Sequence, residues 1–324
     1  MRNIGDLNKS SVEELLGELR VREENLPKAP MLWADQIIPK TKFSEFDTGT
    51  IIEALINNQK AIYGADDRED TSELSHQGNL NHADSVVALF LDKKIIDNGD
   101  GTSTLQTQIF GKAHNLCAGE RFWEQPVGAF CSGFLAAPDI IVTAGHCVKP
   151  DNVTGIRFVF GFCMQNASTP TTIIDNSEIY RGVEIIKRQE ISNGPDWALV
   201  RIDRPVTNHP IAKIRRIGKI NDMQAVYVIG HPVGLPAKFA GGASVRNNQP
   251  KAWFVANLDT FGGNSGSPVF NSDTHEVEGI LVRGDVDFIP KGNCMVAQVF
   301  PTTGGRGEDC TRTTEFAHLI NNTG

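Results

Sequence analysis

From Ser85 onward the chain breaks into short β-rich runs separated by turn residues, and this pattern limits the possible folds more than any other feature. The runs include Val86 to Leu91, Leu105 to Phe110, Ile156 to Phe160, Val183 to Ile186, Ala225 to Ile229, Ala252 to Ala256, Glu278 to Val282 and Met295 to Phe300. Many short strands with turns every ten residues or so build an all-β barrel or sandwich. Asp97-Asn98-Gly99-Asp100-Gly101 invites a calcium reading. Its acidic spacing does not match an EF-hand loop, and it reads as a hairpin turn.

The first part of the chain has a different texture. Residues Ser10 to Leu26 read as a charged helix, with Ser11 as cap, Glu14 three residues on, and an apolar stripe of Leu15, Leu16 and Leu19. Pro27 and Pro30 end it. A second short helix is expected over Thr50 to Asn58. The polar stretch Tyr63 to Ser72 has little to bury and reads as a linker or cleavage region.

The chemistry concentrates in three segments. In Asp259-Thr260-Phe261-Gly262-Gly263-Asn264-Ser265-Gly266-Ser267-Pro268 a single serine sits between glycines. Glycine tolerates backbone angles that other residues resist, so the amides of Gly263 and Ser265 can both face one developing oxyanion. A serine needs a base, and the base needs an orienting group. Upstream, an apolar run ends in Thr143-Ala144-Gly145-His146-Cys147, and another strand begins Asp196-Trp197-Ala198-Leu199-Val200. Each segment has an ordinary alternative: a Gly/Asn/Ser turn, a buried core histidine, an aspartate capping a strand.

Taken together and in the order His, Asp, Ser, these segments resemble the chymotrypsin-like serine peptidases, in particular their bacterial glutamyl-endopeptidase branch. The resemblance runs from about Ser85 to the C-terminus. It implies two packed six-stranded antiparallel β-barrels with a cleft between them, preceded by a partly helical extension and closed by a C-terminal helix over Thr313 to Asn321. The expected division is an extension over 1–62, a possible prosegment, then a linker over 63–84. Residues 85–205 would form the first barrel with His146 and Asp196, and 206–324 the second with Ser265. The implied mechanism is acyl transfer: His146 takes the Ser265 proton, Asp196 fixes the imidazole, and the Gly263 and Ser265 amides hold the oxyanion. Two other classes, a silent binding module on the same fold and a serine esterase, use the same features. The Gly-x-Ser-x-Gly elbow of α/β-hydrolases is absent, because Ser267 follows Gly266.

The specificity pocket is less determined. Asp259 lies where trypsin-like members carry the aspartate that reads Lys or Arg, whereas the glutamyl branch can carry an Asp-Thr pair there without basic specificity. Thr260 fits that branch, and its pocket histidine has no counterpart. Arg283, in Gly279-Ile280-Leu281-Val282-Arg283-Gly284, could supply the charge for an acidic side chain instead, or point into solvent. Asn264 stands where digestive members pair an aspartate with a newly cut N-terminus, so that activation switch is not expected. The loop Gly230-His231-Pro232-Val233-Gly234 reads as turn chemistry beside the cleft.

Six cysteines permit fifteen pairings. The resemblance implies a Cys131–Cys147 bridge behind the histidine; Cys294 with Cys310 would close a Gly-rich loop, leaving Cys117 with Cys163. No metal-ligand spacing is seen, and neither a metal nor a cofactor is expected. Bridged cysteines suit an oxidising compartment. Met1 to Lys9 lacks a signal-peptide core, so the expectation is secretion or periplasmic export with a leader removed, with the cytoplasm as the alternative. The net charge of −8 argues against nucleic acid or an anionic membrane surface as partner, and no apolar run approaches the ~20 residues of a membrane helix. The expected partner is a polypeptide substrate, together with the chain's own extension.

Overall fold

The computed structural model describes residues 12–24, 41–51, 61–75 and 77–321. The strands close into two six-stranded antiparallel barrels. In the first, the order is Ile156–Val159, Ile179–Glu190, Asp196–Ile202, Ile140–Thr143, Cys131–Ala137 and Val86–Leu91, the last pairing back to the first. Phe134, Ile141, Val142, Phe158, Leu199 and Val200 of its strands are all fully buried. Each such side chain contributes about 1.5–3 kcal/mol relative to exposure.

The second barrel runs Ala225–Gly230, Pro268–Asn271, Val277–Arg283, Glu308–Arg312, Trp253–Ala256 and Lys238–Asn247, closed by pairing of the last with the first. A seventh strand, Arg68–Asp70, adds to it by pairing with Lys238–Ala240. The expected linker over 63–84 is therefore built into the fold. Ile62–Tyr63 pairs in parallel with Val299–Phe300, and Tyr63, Arg68, Asp70 and Thr71 are buried. The polarity of this stretch misleads because its charges find partners inside. Lys238 Nζ bonds Asp70, Gln125 Oε1 at 2.7 Å and the Pro236 carbonyl at 3.1 Å, while the Gln125 amide returns to Asp70 at 2.8 Å.

Some local expectations change. Leu105 ends a strand, Thr102–Leu105, and Phe110 begins a helical turn, so Leu105 to Phe110 is not one strand. Thr102–Leu105 and Ile95–Asp97 form the expected hairpin, whose turn amides at Gly99 and Thr102 go to Asp97 and Asp100. The C-terminal helix is instead two 3-10 turns, Thr313–Glu315 and Ala317–Leu319. Phe316 breaks the run at φ −129°, where its ring is fully buried 5.6 Å from Trp197.

The N-terminal helix spans Val12–Glu24. A helical turn begins at Thr48, capped by the Asp47 carboxylate on the Thr50 amide, and the rest of the Thr50 to Asn58 expectation lies outside the described residues. Leu15, Leu19, Phe43 and Ile51 join the apolar core of the first barrel, and Thr48 reaches Asp151 at 2.6 Å. Among the described residues no helix is long and apolar enough to cross a membrane.

Candidate active site

His146 occupies a 3-10 turn, Gly145–Cys147, immediately after the Ile140–Thr143 strand. Asp196 opens the neighbouring strand of the same barrel, which pairs with Ile140–Thr143 from Ala198 onward. That pairing sets the two side chains together: Nδ1 of His146 lies 2.6 Å from Asp196 Oδ2, and the His146 amide donates to Oδ1 at 3.1 Å. Burial alone would raise the Asp196 carboxyl; the His146 charge and hydrogen bonds, with the charge of Arg283, outweigh it and hold the group below its usual value. The Asp196 amide donates across the cleft to Thr311 Oγ1 of the second barrel at 3.1 Å.

Ser265 lies in the turn before Pro268–Asn271 of the other barrel, and its carbonyl lies 3.7 Å from the sulfur of Cys147, the residue after His146. The same carbonyl accepts the Ser132 amide at 2.9 Å. The next residue, Gly266, presses against the segment that carries His146: a methyl there would stand 2.4 Å from Thr143 Oγ1 and 2.8 Å from the Ala144 amide. The expected triad residues thus converge at the junction of the barrels, all less than a tenth exposed.

Gly263 adopts φ +79°, a conformation that L side chains rarely take, and an added Cβ would meet the His231 carbonyl at 2.7 Å. Ser132, absent from the sequence expectations, threads this region. Its Oγ donates to the Gly263 carbonyl at 2.8 Å and accepts from the His231 amide at 2.9 Å. Nothing in the sequence marked it, because a serine beside a cysteine in an apolar strand carries no pattern. His231 is a turn residue as expected; burial pulls it down to about 4, so it stays neutral, with Nδ1 3.0 Å from the Leu235 carbonyl.

The three expected pocket residues are all engaged elsewhere. Asp259 accepts the Tyr63 amide at 2.7 Å and the Asp67 amide at 2.8 Å, so it anchors the N-terminal segment. Burial, opposed by those amides, leaves it pushed up to about 6. Thr260 donates to Glu308 at 3.0 Å. Arg283 points neither to solvent nor to an open pocket: it binds Asp309 at 3.1 Å and the carbonyls of Gly194 and Ile191 at 2.8 and 3.3 Å. It thereby holds the loop that leads into Asp196.

Of the expected bridges, Cys131–Cys147 forms. The other is Cys117–Cys294, which corrects both Cys294–Cys310 and Cys117–Cys163. Cys310 is buried inside the second barrel opposite Leu281, whereas Cys294 lies on an outlying hairpin whose Met295 bonds Cys117 and Asn115 through the backbone at 2.8 and 2.9 Å. Cys163 and Cys310 are unbridged. The sulfurs of Cys131 and Cys147 and a ring nitrogen of His146 lie within 4.8 Å of one another. Sulfurs bonded to each other are not thiolate ligands, so this grouping is the bridge behind the histidine and not a metal site.

Residues 131–280, which contain all three converging residues, match the family model of the trypsin-like peptidase domain. This segment is similar to trypsin-like peptidase domains. The chain is also similar to a Glu endopeptidase solved in complex with MPD, at 18% identity over 80% of this chain and 97% of that one, with a TM-score of 0.47. A second similar structure is the Vibrio cholerae VesB protease, at 15% identity over 81% of this chain and 67% of that one, with a TM-score of 0.45. The match begins at Cys131 and ends inside the strand before Arg283, so the N-terminal segment and the Cys117–Cys294 hairpin lie outside the matched residues.

Proposed function

We propose that the protein is a serine endopeptidase in which Ser265 attacks the peptide carbonyl, His146 accepts its proton and returns it to the leaving amine, and Asp196 fixes the imidazole tautomer. An acyl-enzyme forms on Ser265 Oγ, and water resolves it with His146 again as base. The observation that carries this reading is the double hold of Asp196 on His146, through Nδ1 and the backbone amide, at the point where the Ser265–Gly266 turn meets the first barrel. A carboxylate so placed stabilises the imidazolium that forms when serine loses its proton. The amides of Gly263 and Ser265 are the proposed oxyanion donors.

The substrate of this reading is a polypeptide, and the compartment is secreted or periplasmic, supported by two bridges in one chain. The extension restrains the enzyme as a prosegment. Tyr63, Arg68, Asp70 and Thr71 are buried, and strand pairing holds both ends of the short 64–67 connection, which disfavours a cut there; the processing cut of this reading lies upstream of Ala61. Turnover of an unstructured polypeptide by the wild-type chain and by Ser265→Ala tests the mechanism. The reading requires the variant to fold and to be inactive; equal turnover by both refutes it.

A further inference from the structure

The most unusual hydrogen bonding near the nucleophile is that of Gly262, one residue before the proposed oxyanion donor. Its amide donates to both carboxylate oxygens of Asp287, at 3.1 and 2.9 Å. Its carbonyl accepts the Val233 amide. Val233 sits at φ +47°, a left-handed conformation costly for a β-branched residue, and one that persists only where surrounding structure holds it. A trans peptide sets the carbonyl of one residue opposite the amide of the next. With the Gly262 carbonyl fixed on Val233, the Gly263 amide must therefore point away from the 231–234 turn.

Asp287 is itself tightly held. It is 1% exposed, and its carbonyl accepts the Gln298 amide at 2.8 Å. It stands at the base of the hairpin formed by Phe288–Lys291 and Cys294–Ala297. Phe288 packs 4.8 Å from the Phe261 ring, and Cys294 ties the hairpin to Cys117, in the stretch between the strands Val86–Leu91 and Cys131–Ala137. Meanwhile the Asn264 side-chain oxygen accepts from the neighbouring Ser267 Oγ at 3.3 Å.

We infer that Asp287 is a positioning residue for the oxyanion hole: its carboxylate grips the Gly262 amide and so sets the Gly262–Gly263 peptide in its donating orientation. The loop is anchored by a carboxylate from a bridged hairpin, a device that needs no newly cut chain end. This inference rests on the serine-peptidase reading.

Kinetics of Asp287→Ala and Asp287→Asn test it, alongside the affinity of a peptide boronate, whose tetrahedral adduct uses the oxyanion donors, and of the corresponding product peptide, which does not. Loss of one oxyanion donor costs on the order of 100 to 1,000-fold in rate. Misplacing one should cost Asp287→Ala roughly 10 to 100-fold in kcat, with KM within about threefold. Boronate affinity should fall in parallel and product affinity should hold. Asp287→Asn, which keeps one acceptor oxygen and nearly the same shape, should recover part of kcat. If Asp287→Ala does not fold, the asparagine variant alone decides, by a kcat loss that boronate affinity follows. A kcat within twofold of wild type, or equal losses in boronate and product affinity, overturns the inference. Wild-type protein that turns over no polypeptide overturns the serine-peptidase reading, and this inference with it.

Discussion

The first barrel closes with six strands all drawn from residues 86–202, whereas the second adds Arg68–Asp70 from ahead of the first and leans on a hairpin bridged to Cys117. The difference extends to the site. His146 and Asp196 lie on adjacent elements of one barrel and bond each other directly. The Ser265 loop is held by groups from three distant stretches: Ser132, the 231–234 turn and Asp287. One half of the site is therefore local and robust, and the other depends on long-range attachments.

The largest effect should come from the local half. Asp196→Asn removes the charge that fixes the His146 tautomer while keeping the shape, and kcat should fall about 10⁴-fold; steady-state kinetics checks this, and a loss under tenfold breaks the comparison. In the second barrel, Asp70→Ala strands Lys238, which burial has already pulled down to about 8. Removing one partner of a buried pair costs roughly 3–5 kcal/mol. Denaturant unfolding should show that loss, and Asp70→Asn should recover some of it through the Gln125 network. Cys131→Ser with Cys147→Ser opens a loop in the first barrel and should cost roughly 2–4 kcal/mol. If this matches or exceeds the Asp70→Ala loss, the second barrel is not the more dependent one.

The smallest expected effect is one of pH. Asp259 anchors the N-terminal segment with a folded pKa pushed up to about 6 from 3.8. A carboxyl raised on folding stabilises fully below its unfolded value, and that contribution is lost as pH rises through the folded one. The Tm of wild type relative to Asp259→Asn should therefore decline between about pH 4 and pH 6 and be level above. Parallel curves through this window would mean that burial does not hold the Asp259 carboxyl above its unfolded value.

The same division separates what could be read in the sequence from what could not. The strands Val86 to Leu91, Ala225 to Ile229 and Glu278 to Val282 are visible because burial on both faces leaves a short, nearly continuous apolar run. The pairing of His146 with Asp196 is legible because each residue sits in a short, characteristic segment. Tyr63 to Ser72 reads as a linker because its partners, Lys238, Gln125 and Asp259, lie more than fifty residues away or beyond a whole barrel. Arg283 and Asp259 fit a pocket in a one-dimensional count, yet their neighbours in space, the 191–194 loop and the 63–67 segment, claim them. Asp287 and Ser132 carry no sequence signal, since their importance lies in which backbone amide or carbonyl they meet.

The central claim is that the convergence of the two barrels makes Ser265 a nucleophile activated by His146. Labelling with a fluorophosphonate, followed by peptide mapping, measures this without any choice of substrate. The label should appear on the peptide containing Ser265 in the wild-type chain and be lost in both His146→Ala and Ser265→Ala. Labelling that persists in His146→Ala, or that falls on another residue, would contradict the account.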